Sequence, residues 1–179
     1  MDTKNKGFNT KLIHAGDVHD EWGSAVTPIY QTSTFAFKNA RHGADCFAGN
    51  DPGYIYTRIG NPTIHALECK MAELENGYRG IALSSGMAAV TTVYMTLLSQ
   101  GSHIISTSAV YGPSRNVLES HFTKFGVRTS FIDTTDIANI EKNILPETKV
   151  LYLETPANPT LAITDIRRAS ELAHKHGIL

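Results

Sequence analysis

The sequence predicts an α/β domain built around a mostly parallel sheet, and three observations favour that class. From Gly80 onward, short apolar segments alternate with segments of helical periodicity. Gly77, Gly101 and Gly126 each stand where one of the helical segments ends. Apolar residues make up 41% of the 179 residues and charged residues 18%, which is the balance of a globular protein with a substantial core. Strands that alternate with helices pair in parallel through right-handed crossovers.

The chain is expected to begin with a long irregular arm. Residues 1–60 have weak periodicity and many turn formers, and such a long irregular segment is unusual inside a compact domain. We therefore expect this arm to pack on something else and the regular domain to occupy residues 61–179. The turn formers are Gly16, Gly23, Pro28, Gly43, Gly49, Pro52 and Gly53.

The regular part opens with a helix. Asn61 is suited to cap it and Pro62 to occupy its first position, and apolar residues such as Ile64 and Leu67 follow at helical spacing. Gly77 is expected to close this helix.

Four strands and four further helices are expected after this first helix. The strands are predicted at GIALS (80–84), HIISTS (103–108), VRTSFID (127–133) and KVLYLE (149–154). The helices are predicted at 86–98, 113–125, 137–144 and 165–176. Residues 177–179 have the character of a fifth strand's first residues, so we expect the chain to be the leading part of a larger, truncated domain.

Composition and charge exclude several functional classes. The formal net charge is −1 and no long run of one sign occurs, so the sequence has no basic pattern for nucleic acid. The N-terminal residues lack the apolar core of a signal peptide, and no apolar run reaches the ~18 residues of a membrane span. We expect a soluble, cytoplasmic protein with neither nucleic acid nor a membrane as its partner.

Cysteine and histidine spacing predicts neither a disulfide framework nor a metal site. Cys46 and Cys69 are far apart and belong to no C-x-x-C motif or His/Cys cluster. The histidines that precede the last predicted helix form no metal-spaced pair. No G-x-G-x-x-G or Walker-type loop occurs, so the sequence does not support a dinucleotide or ATP as ligand.

The segment ALSSGMAA, residues 82–89, runs from an apolar strand directly into a small-residue helix. Ligands of parallel α/β sheets bind beyond the carboxyl ends of the strands, and the free N–H groups at a helix start attract anions. Because Gly86 has no side chain, a phosphate could approach the amides of Gly86 and Met87. From this motif alone, a helix packed closely on the sheet through small residues is an equally good interpretation.

Other candidate ligand-binding residues stand at two later strand ends and in one upstream segment. Tyr111 follows the second predicted strand, and Asn158 follows the fourth between prolines that restrict its backbone. Tyr56 and Arg58 are two residues apart on an extended stretch and therefore face the same side, where a phenol and a guanidinium suit a phosphate dianion. Each residue singly is more often an ordinary turn or surface residue, but together they favour a phosphate-bearing ligand.

Four motifs resemble, in order and spacing, the Cys/Met-metabolism family of pyridoxal-phosphate enzymes. They are YIYTRIGNPT (54–63), SSGMAA (84–89), VYGPSRN (110–116) and ETPANPT (154–160). Residues 14–35 resemble the N-terminal arm of that family, and residues 44–63 are most similar to methionine γ-lyases within it. The resemblance spans essentially the whole chain. It implies fold type I of the pyridoxal-phosphate enzymes, the aspartate aminotransferase-like fold, with 61–179 as the first part of the cofactor-binding large domain.

The resemblance also implies pyridoxal 5′-phosphate as the cofactor and a shared site for it. Gly86 and Met87, with the adjoining Ser85, would bind the cofactor phosphate through the start of the helix. Tyr56 and Arg58 would reach the phosphate in a neighbouring subunit, so that residues 1–60 form an inter-subunit arm. The implied assembly is a homo-oligomer, a dimer of dimers in which each active site needs two chains.

The ring of the cofactor would be held by two further residues. Tyr111 would stack on it and act on the leaving group as the catalytic residue, and Asn158 would hydrogen-bond the ring oxygen. Methionine γ-lyases usually carry a cysteine two residues after the stacking tyrosine, whereas this chain has Pro113, which favours the family's cystathionine and sulfhydrylase members. The family's Schiff-base lysine and pyridinium-pairing aspartate have no match up to Leu179, so these 179 residues alone are expected to be inactive.

The resemblance implies a lyase that acts on a small sulfur amino acid. In its complete form it would eliminate the γ-substituent of L-methionine and yield methanethiol, ammonia and 2-oxobutanoate. Cystathionine γ-synthase, cystathionine γ-lyase and O-acetylhomoserine sulfhydrylase activities remain open as alternatives. A truncated, non-catalytic assembly partner or remnant is the alternative outside the enzymes.

Overall fold

The computed structural model describes residue 3 and residues 5–179. The chain forms two compact units, the first reaching to Ala82 and the second running from Leu83 to Leu179. Among the described residues, no helix combines the length and the apolar character that crossing a membrane requires.

The first unit contains three helices, which are α1 (Phe8–His14), α2 (Ala40–Phe47) and α3 (Pro62–Leu74). Helix α1 packs on α3, and the Lys11 ammonium lies 3.2 Å from the Glu73 carboxylate across that contact. Helix α3 begins as predicted, because the Asn61 side chain accepts a hydrogen bond from the Thr63 N–H at 2.9 Å. After α3, the left-handed conformation belongs to Asn76 (φ 52°) rather than to Gly77.

The expectation that residues 1–60 are mostly irregular missed α1 and α2. Helix α2 contains a glycine, Gly43, that weakens its helical signal in the sequence. A side-chain carbon at Gly43 would stand 3.0 Å from the Phe37 ring, so the packing of that ring explains the glycine. The helix is capped by Asn39, whose side chain accepts from the His42 N–H at 2.9 Å.

The second unit is an α/β arrangement with a three-stranded parallel sheet, which confirms the predicted class. The strands are β1 (His103–Thr107), β2 (Arg128–Ile132) and β3 (Thr148–Tyr152), in the order β2-β1-β3. The helices are α4 (Gly86–Leu97), α5 (Gly112–Asn116), α6 (Ile137–Asn143) and α7 (Ile166–Lys175). Helix α5 continues through a π turn, Val117–His121, and a 3-10 turn, Phe122–Phe125.

The predicted strand GIALS (80–84) does not form. The Ala82 N–H donates to the Glu68 carboxylate at 2.9 Å, and these five residues make no ladder hydrogen bond with any other described residue. A strand is stable only when its backbone groups find a partner strand, which propensity alone cannot supply. At the other end, Leu179 exchanges two main-chain hydrogen bonds with β3, as expected for the start of another parallel strand.

The core of the second unit surrounds β1, all five residues of which are buried. The fully buried ring of Tyr94 on α4 packs edge-on against the rings of Phe122 and Tyr152, with centroids 5.6 and 5.3 Å away. The core cluster comprises Tyr94, Leu98, Ile104, Leu118, Phe122, Val127 and Val150.

His103 is a buried titratable residue at the amino end of the sheet. Its Nδ1 lies 2.8 Å from the Thr148 hydroxyl and its Nε2 lies 3.0 Å from the Ser130 hydroxyl. Burial, reinforced by the nearby Arg128 guanidinium, lowers the pKa of His103 below its ordinary value. The imidazole is therefore held neutral between two hydroxyls that can each donate or accept.

We expect this histidine to make the protein less stable in mild acid. Below about pH 6.5 the unfolded chain binds a proton that folded His103 resists, so stability falls as the pH decreases through that value. The test is the thermal unfolding midpoint of the gene product that carries this chain, measured from about pH 7.5 to 5.5. The variant His103→Gln should flatten the profile, whereas His121→Gln, which replaces an exposed histidine, should not. An unchanged slope in His103→Gln would show that another group controls it.

Candidate functional site

The start of helix α4 leaves two main-chain N–H groups free. Ser85 caps the helix, since its side-chain oxygen accepts from the Ala88 N–H at 3.1 Å and its carbonyl accepts from the Ala89 N–H at 3.1 Å. The amides of Gly86 and Met87 have no hydrogen-bond partner among the described residues. A side-chain carbon on Gly86 would meet no atom within 4 Å, so the space beside these amides is open. The helix start therefore offers two free donors and a positive dipole end.

A pocket of about 450 Å³ opens at this helix start. It brings Ser85, Gly86 and Met87 together with Tyr111, as the sequence predicts, although the strand expected before Ser85 does not form. The Tyr111 side chain is 57% exposed, which leaves its ring accessible to a ligand. The residues that line the pocket are Ser85, Gly86, Met87, Val90, Tyr111, Ser114 and Tyr152.

The loop that carries Tyr111 is tied to the end of β3. The Tyr111 N–H donates to a carboxylate oxygen of Glu154 at 2.7 Å, and the Glu154 N–H donates to the Thr107 hydroxyl at 3.4 Å. The Thr107 hydroxyl continues a buried chain through Thr134 at 3.0 Å to Thr164 at a further 2.6 Å. These bonds fix the loops after β1 and β3 relative to each other.

Asn158 does not line the pocket. It lies exposed in the loop after β3, next to the fully buried Ala157. A tight turn follows, in which the Leu161 N–H donates to the Ala157 carbonyl at 2.7 Å. The role that the sequence resemblance implies for Asn158 thus remains a prediction.

In the first unit, Tyr56 and Arg58 line one face of a second pocket, of about 730 Å³. The guanidinium carbon of Arg58 lies 4.9 Å from the centroid of the Tyr56 ring, so the two side chains share a side as the alternation predicts. No carboxylate among the described residues lies within 4.0 Å of the Arg58 guanidinium. Its donors are therefore free for an anion.

Sequence reasoning missed three polar residues at the candidate site. Ser114 is 1% exposed and its hydroxyl donates to the Met87 sulfur at 3.6 Å. It stands one helical turn after Tyr111, a spacing that could have indicated a shared face. Tyr152 ends β3 with its ring against the core, and Glu154, two residues later, is the first residue of the ETPANPT motif.

The expectation that no histidine and cysteine stand at metal-ligand spacing was wrong for His42 and Cys46. One helical turn apart on α2, they place Nε2 and Sγ 3.6 Å apart, and an Asp51 oxygen lies 3.8 Å from the same Nε2. The three atoms surround Gly53, whose absent side chain leaves them room to converge.

The hydrogen bonds of this cluster oppose a metal ion. The Lys38 N–H donates to His42 Nδ1 at 3.1 Å, which places the proton of a neutral imidazole on Nε2, the nitrogen that faces Cys46 and Asp51. A metal on Nε2 would require a proton on Nδ1, against the Lys38 N–H. Burial, followed by the Asp51 charge, raises the pKa of the Cys46 thiol, which disfavours the thiolate that a metal needs.

Two curated relatives are similar to this chain over nearly its whole length. The L-methionine γ-lyase of Treponema denticola is 46% identical over 170 residues, which are 95% of this chain and 42% of that enzyme. The cystathionine γ-lyase of Bacillus subtilis is 43% identical over 95% of this chain and 43% of its own. The chain thus spans less than half the length of these relatives. Residues 9–179 match the family described as Cys/Met metabolism PLP-dependent enzyme.

A solved structure shares the fold. The putative O-acetylhomoserine (thiol)-lyase of Campylobacter jejuni superposes with a TM-score of 0.86 at 32% identity, covering 98% of this chain and 42% of its own. That crystal contains N′-pyridoxyl-lysine-5′-monophosphate.

The capping role of Ser85 predicts a measurable loss of stability in Ser85→Ala. Without the side-chain oxygen the Ala88 N–H loses its acceptor, which typically costs about 1 kcal/mol, whereas Ser85→Thr keeps one. Thermal unfolding of the gene product should show a lower midpoint for Ser85→Ala than for Ser85→Thr. Ser84→Ala is the matched control, because the Ser84 side chain is exposed and makes no hydrogen bond with a described residue. Equal midpoints for all three variants would contradict the capping assignment.

Proposed function

The chain belongs to the Cys/Met metabolism PLP-dependent enzymes, and from that membership we propose that the protein containing it is a carbon–sulfur lyase acting on L-methionine. Elimination of the γ-substituent yields methanethiol, ammonia and 2-oxobutanoate. The observation that carries the proposal is the pocket in which the free amides of Gly86 and Met87 lie beside the accessible ring of Tyr111. The similarity to L-methionine γ-lyases supports methionine as the substrate.

The residues of the pocket fit the two ends of pyridoxal 5′-phosphate. The amides of Gly86 and Met87, at the positive end of α4, match a phosphate dianion. The Tyr111 ring matches the pyridine face, and a pocket of about 450 Å³ accommodates a small cofactor with an amino-acid substrate. When bound, the cofactor supplies the electron sink that carbon–sulfur cleavage requires.

Tyr111 combines two tasks in this proposal. Its ring face orients the bound ring by stacking, and its phenolic O–H donates a proton to the departing sulfur. A thiol leaves more readily than a thiolate in such a step, so this proton transfer promotes cleavage. Asn158, in the exposed loop after β3, would complete the ring contacts by donating from its side-chain amide to the ring oxygen.

The arm is proposed to complete the site of a second subunit. Arg58 stacks on Tyr56 and has no carboxylate partner among the described residues, so its guanidinium fork is available to a phosphate. We propose that residues 1–60 deliver this pair to a neighbouring subunit of a dimer of dimers, and that 61–179 begin the cofactor-binding domain. Shared sites would make the homo-oligomer a condition for activity.

Covalent attachment of the cofactor needs a group that the described pocket lacks. None of its lining residues is a lysine, and the described lysines lie elsewhere in the two units. We therefore propose that residues 1–179 alone bind and orient but do not catalyse. A purely structural assembly role is the corresponding non-enzymatic alternative.

The proposed reaction predicts specific products and a specific defect in one variant. The gene product that carries this chain should release methanethiol and 2-oxobutanoate from methionine. Tyr111→Phe keeps the stacking ring but loses the proton donor, so kcat should fall by about 100-fold while bound cofactor is retained. Thiol and keto-acid assays with visible absorbance check both points. Turnover of cystathionine, or γ-replacement on O-acetylhomoserine, without methionine cleavage would favour the alternatives that Pro113 suggests.

Arg58→Ala is expected to weaken cofactor binding. The loss of a guanidinium–phosphate contact should raise the Kd by about tenfold or more, and Arg58→Lys, which keeps the charge but not the fork, should lie between. Fluorescence titration of the cofactor-free oligomer with pyridoxal 5′-phosphate measures this. Arg167→Ala replaces another exposed arginine, on α7, and serves as the control. Equal affinities for Arg58→Ala and Arg167→Ala would remove Arg58 from the phosphate site.

A further inference from the structure

We propose that Glu154 is a positioning residue that fixes Tyr111 in the pocket through the Tyr111 main-chain amide. This inference rests on the proposed function, since it concerns the placement of the residue that stacks and protonates there. Its geometric basis is the 2.7 Å hydrogen bond from the Tyr111 N–H to the Glu154 carboxylate, which links residues 43 positions apart in the sequence.

This hydrogen bond satisfies the main-chain N–H of the residue that precedes helix α5. Tyr111 occupies the N-cap position of α5, and its own side chain makes no capping hydrogen bond. In many helices a glutamate within the first turn accepts the N–H of the capping residue. In this chain Pro113 and Ser114 stand in that turn, and a glutamate from the end of β3 accepts the N–H instead.

The main chain of Glu154 is itself anchored. Its N–H donates to the Thr107 hydroxyl at 3.4 Å, and the hydroxyl of the next residue, Thr155, accepts from the Thr164 N–H at 3.0 Å. Thr107 and Thr164 belong to the buried threonine chain below the site. Glu154 thus links the end of the sheet to the loop that carries Tyr111, whose side chain is largely exposed.

The charge of Glu154 is not part of an ion pair. Among the described residues no lysine, arginine or histidine nitrogen lies within 4.0 Å of its carboxylate. Arg115, four residues after Tyr111, pairs with Glu119 at 2.8 Å. The carboxylate acts on Tyr111 as a hydrogen-bond acceptor. A glutamine, which presents an uncharged oxygen on a side chain of the same length, can replace it in that role, whereas an alanine cannot.

Three variants of the complete gene product test the proposal: Glu154→Ala, Glu154→Gln and the double variant Glu154→Ala with Tyr111→Phe. We expect Glu154→Ala to lower kcat about tenfold or more through misplacement of the ring, with rescue to within about threefold by Glu154→Gln. Glu154→Ala should lower kcat much less when Tyr111 is already phenylalanine, because the two residues act as one unit. Glu119→Ala, which removes an exposed glutamate of the same helical segment, is the control.

Two readouts do not depend on turnover. The visible circular dichroism of bound pyridoxal 5′-phosphate should change in Glu154→Ala and be restored in Glu154→Gln, since it reports the stacking ring. In the cofactor-free protein, hydrogen exchange at the Tyr111 amide should accelerate at least tenfold in Glu154→Ala but not in Glu119→Ala.

The outcomes separate this proposal from the proposed function. Accelerated exchange and altered dichroism without any methionine cleavage would support the positioning role and overturn the lyase assignment. Methionine cleavage with unchanged exchange at Tyr111 in Glu154→Ala would overturn the positioning role alone. Equal impairment of Glu154→Gln and Glu154→Ala would show that Glu154 acts through its charge. Full additivity with Tyr111→Phe would show that it acts independently of Tyr111. Either result would overturn the positioning role.

Discussion

The candidate site depends on one constraint, the parallel pairing of the buried strand β1 with both of its neighbours. Ile104 lies opposite Thr129 of β2 and Val150 of β3, so all three strands run in one direction. Their carboxyl ends therefore open onto the same edge, and the loops after β1 and β3 must emerge side by side. Polar residues in those loops lie close together because parallel pairing places both strand ends at one edge. The threonine chain and Glu154 then fix the distance between the loops.

The sequence predicts well what is encoded locally or by periodicity. Strands β1, β2 and β3 are short runs of β-branched and apolar residues, and α3 carries its own start signal in Asn61 and Pro62. The segment 80–84 has the same apolar character, but its strand state depends on a partner strand, which no local signal specifies. Helix α2 escapes the pattern because Gly43 weakens its helical signal, and Gly43 is there because the Phe37 ring leaves no room for a side chain.

The same distinction applies to the site. The grouping of Gly86 and Met87 with Tyr111 could be predicted, because Gly86 and Met87 open helix α4 and Tyr111 follows β1. Glu154 could not, because its hydrogen bond to Tyr111 spans 43 positions of sequence. The contact of Ser114 with Met87 spans 27 positions, and only its helical spacing from Tyr111 gave a local signal. For the His42–Cys46 pair, in contrast, residue spacing alone would predict a function that the structure opposes. Its spacing is that of metal ligands, yet one main-chain N–H from Lys38 decides the tautomer against a metal.

The contacts of the pocket also bear on substrate selection. Pro113 stands in the first turn of α5, where a missing N–H breaks no helical hydrogen bond, so its presence is compatible with the fold. It has neither a thiol nor a hydroxyl, and it is not among the residues that line the pocket. In the proposed lyase, any discrimination between sulfur amino acids by this pocket would therefore come from its other lining groups. Ser114 and Tyr152 are the lining residues with hydroxyls besides Ser85 and Tyr111. The Ser114 hydroxyl donates to the Met87 sulfur, which is a weak acceptor.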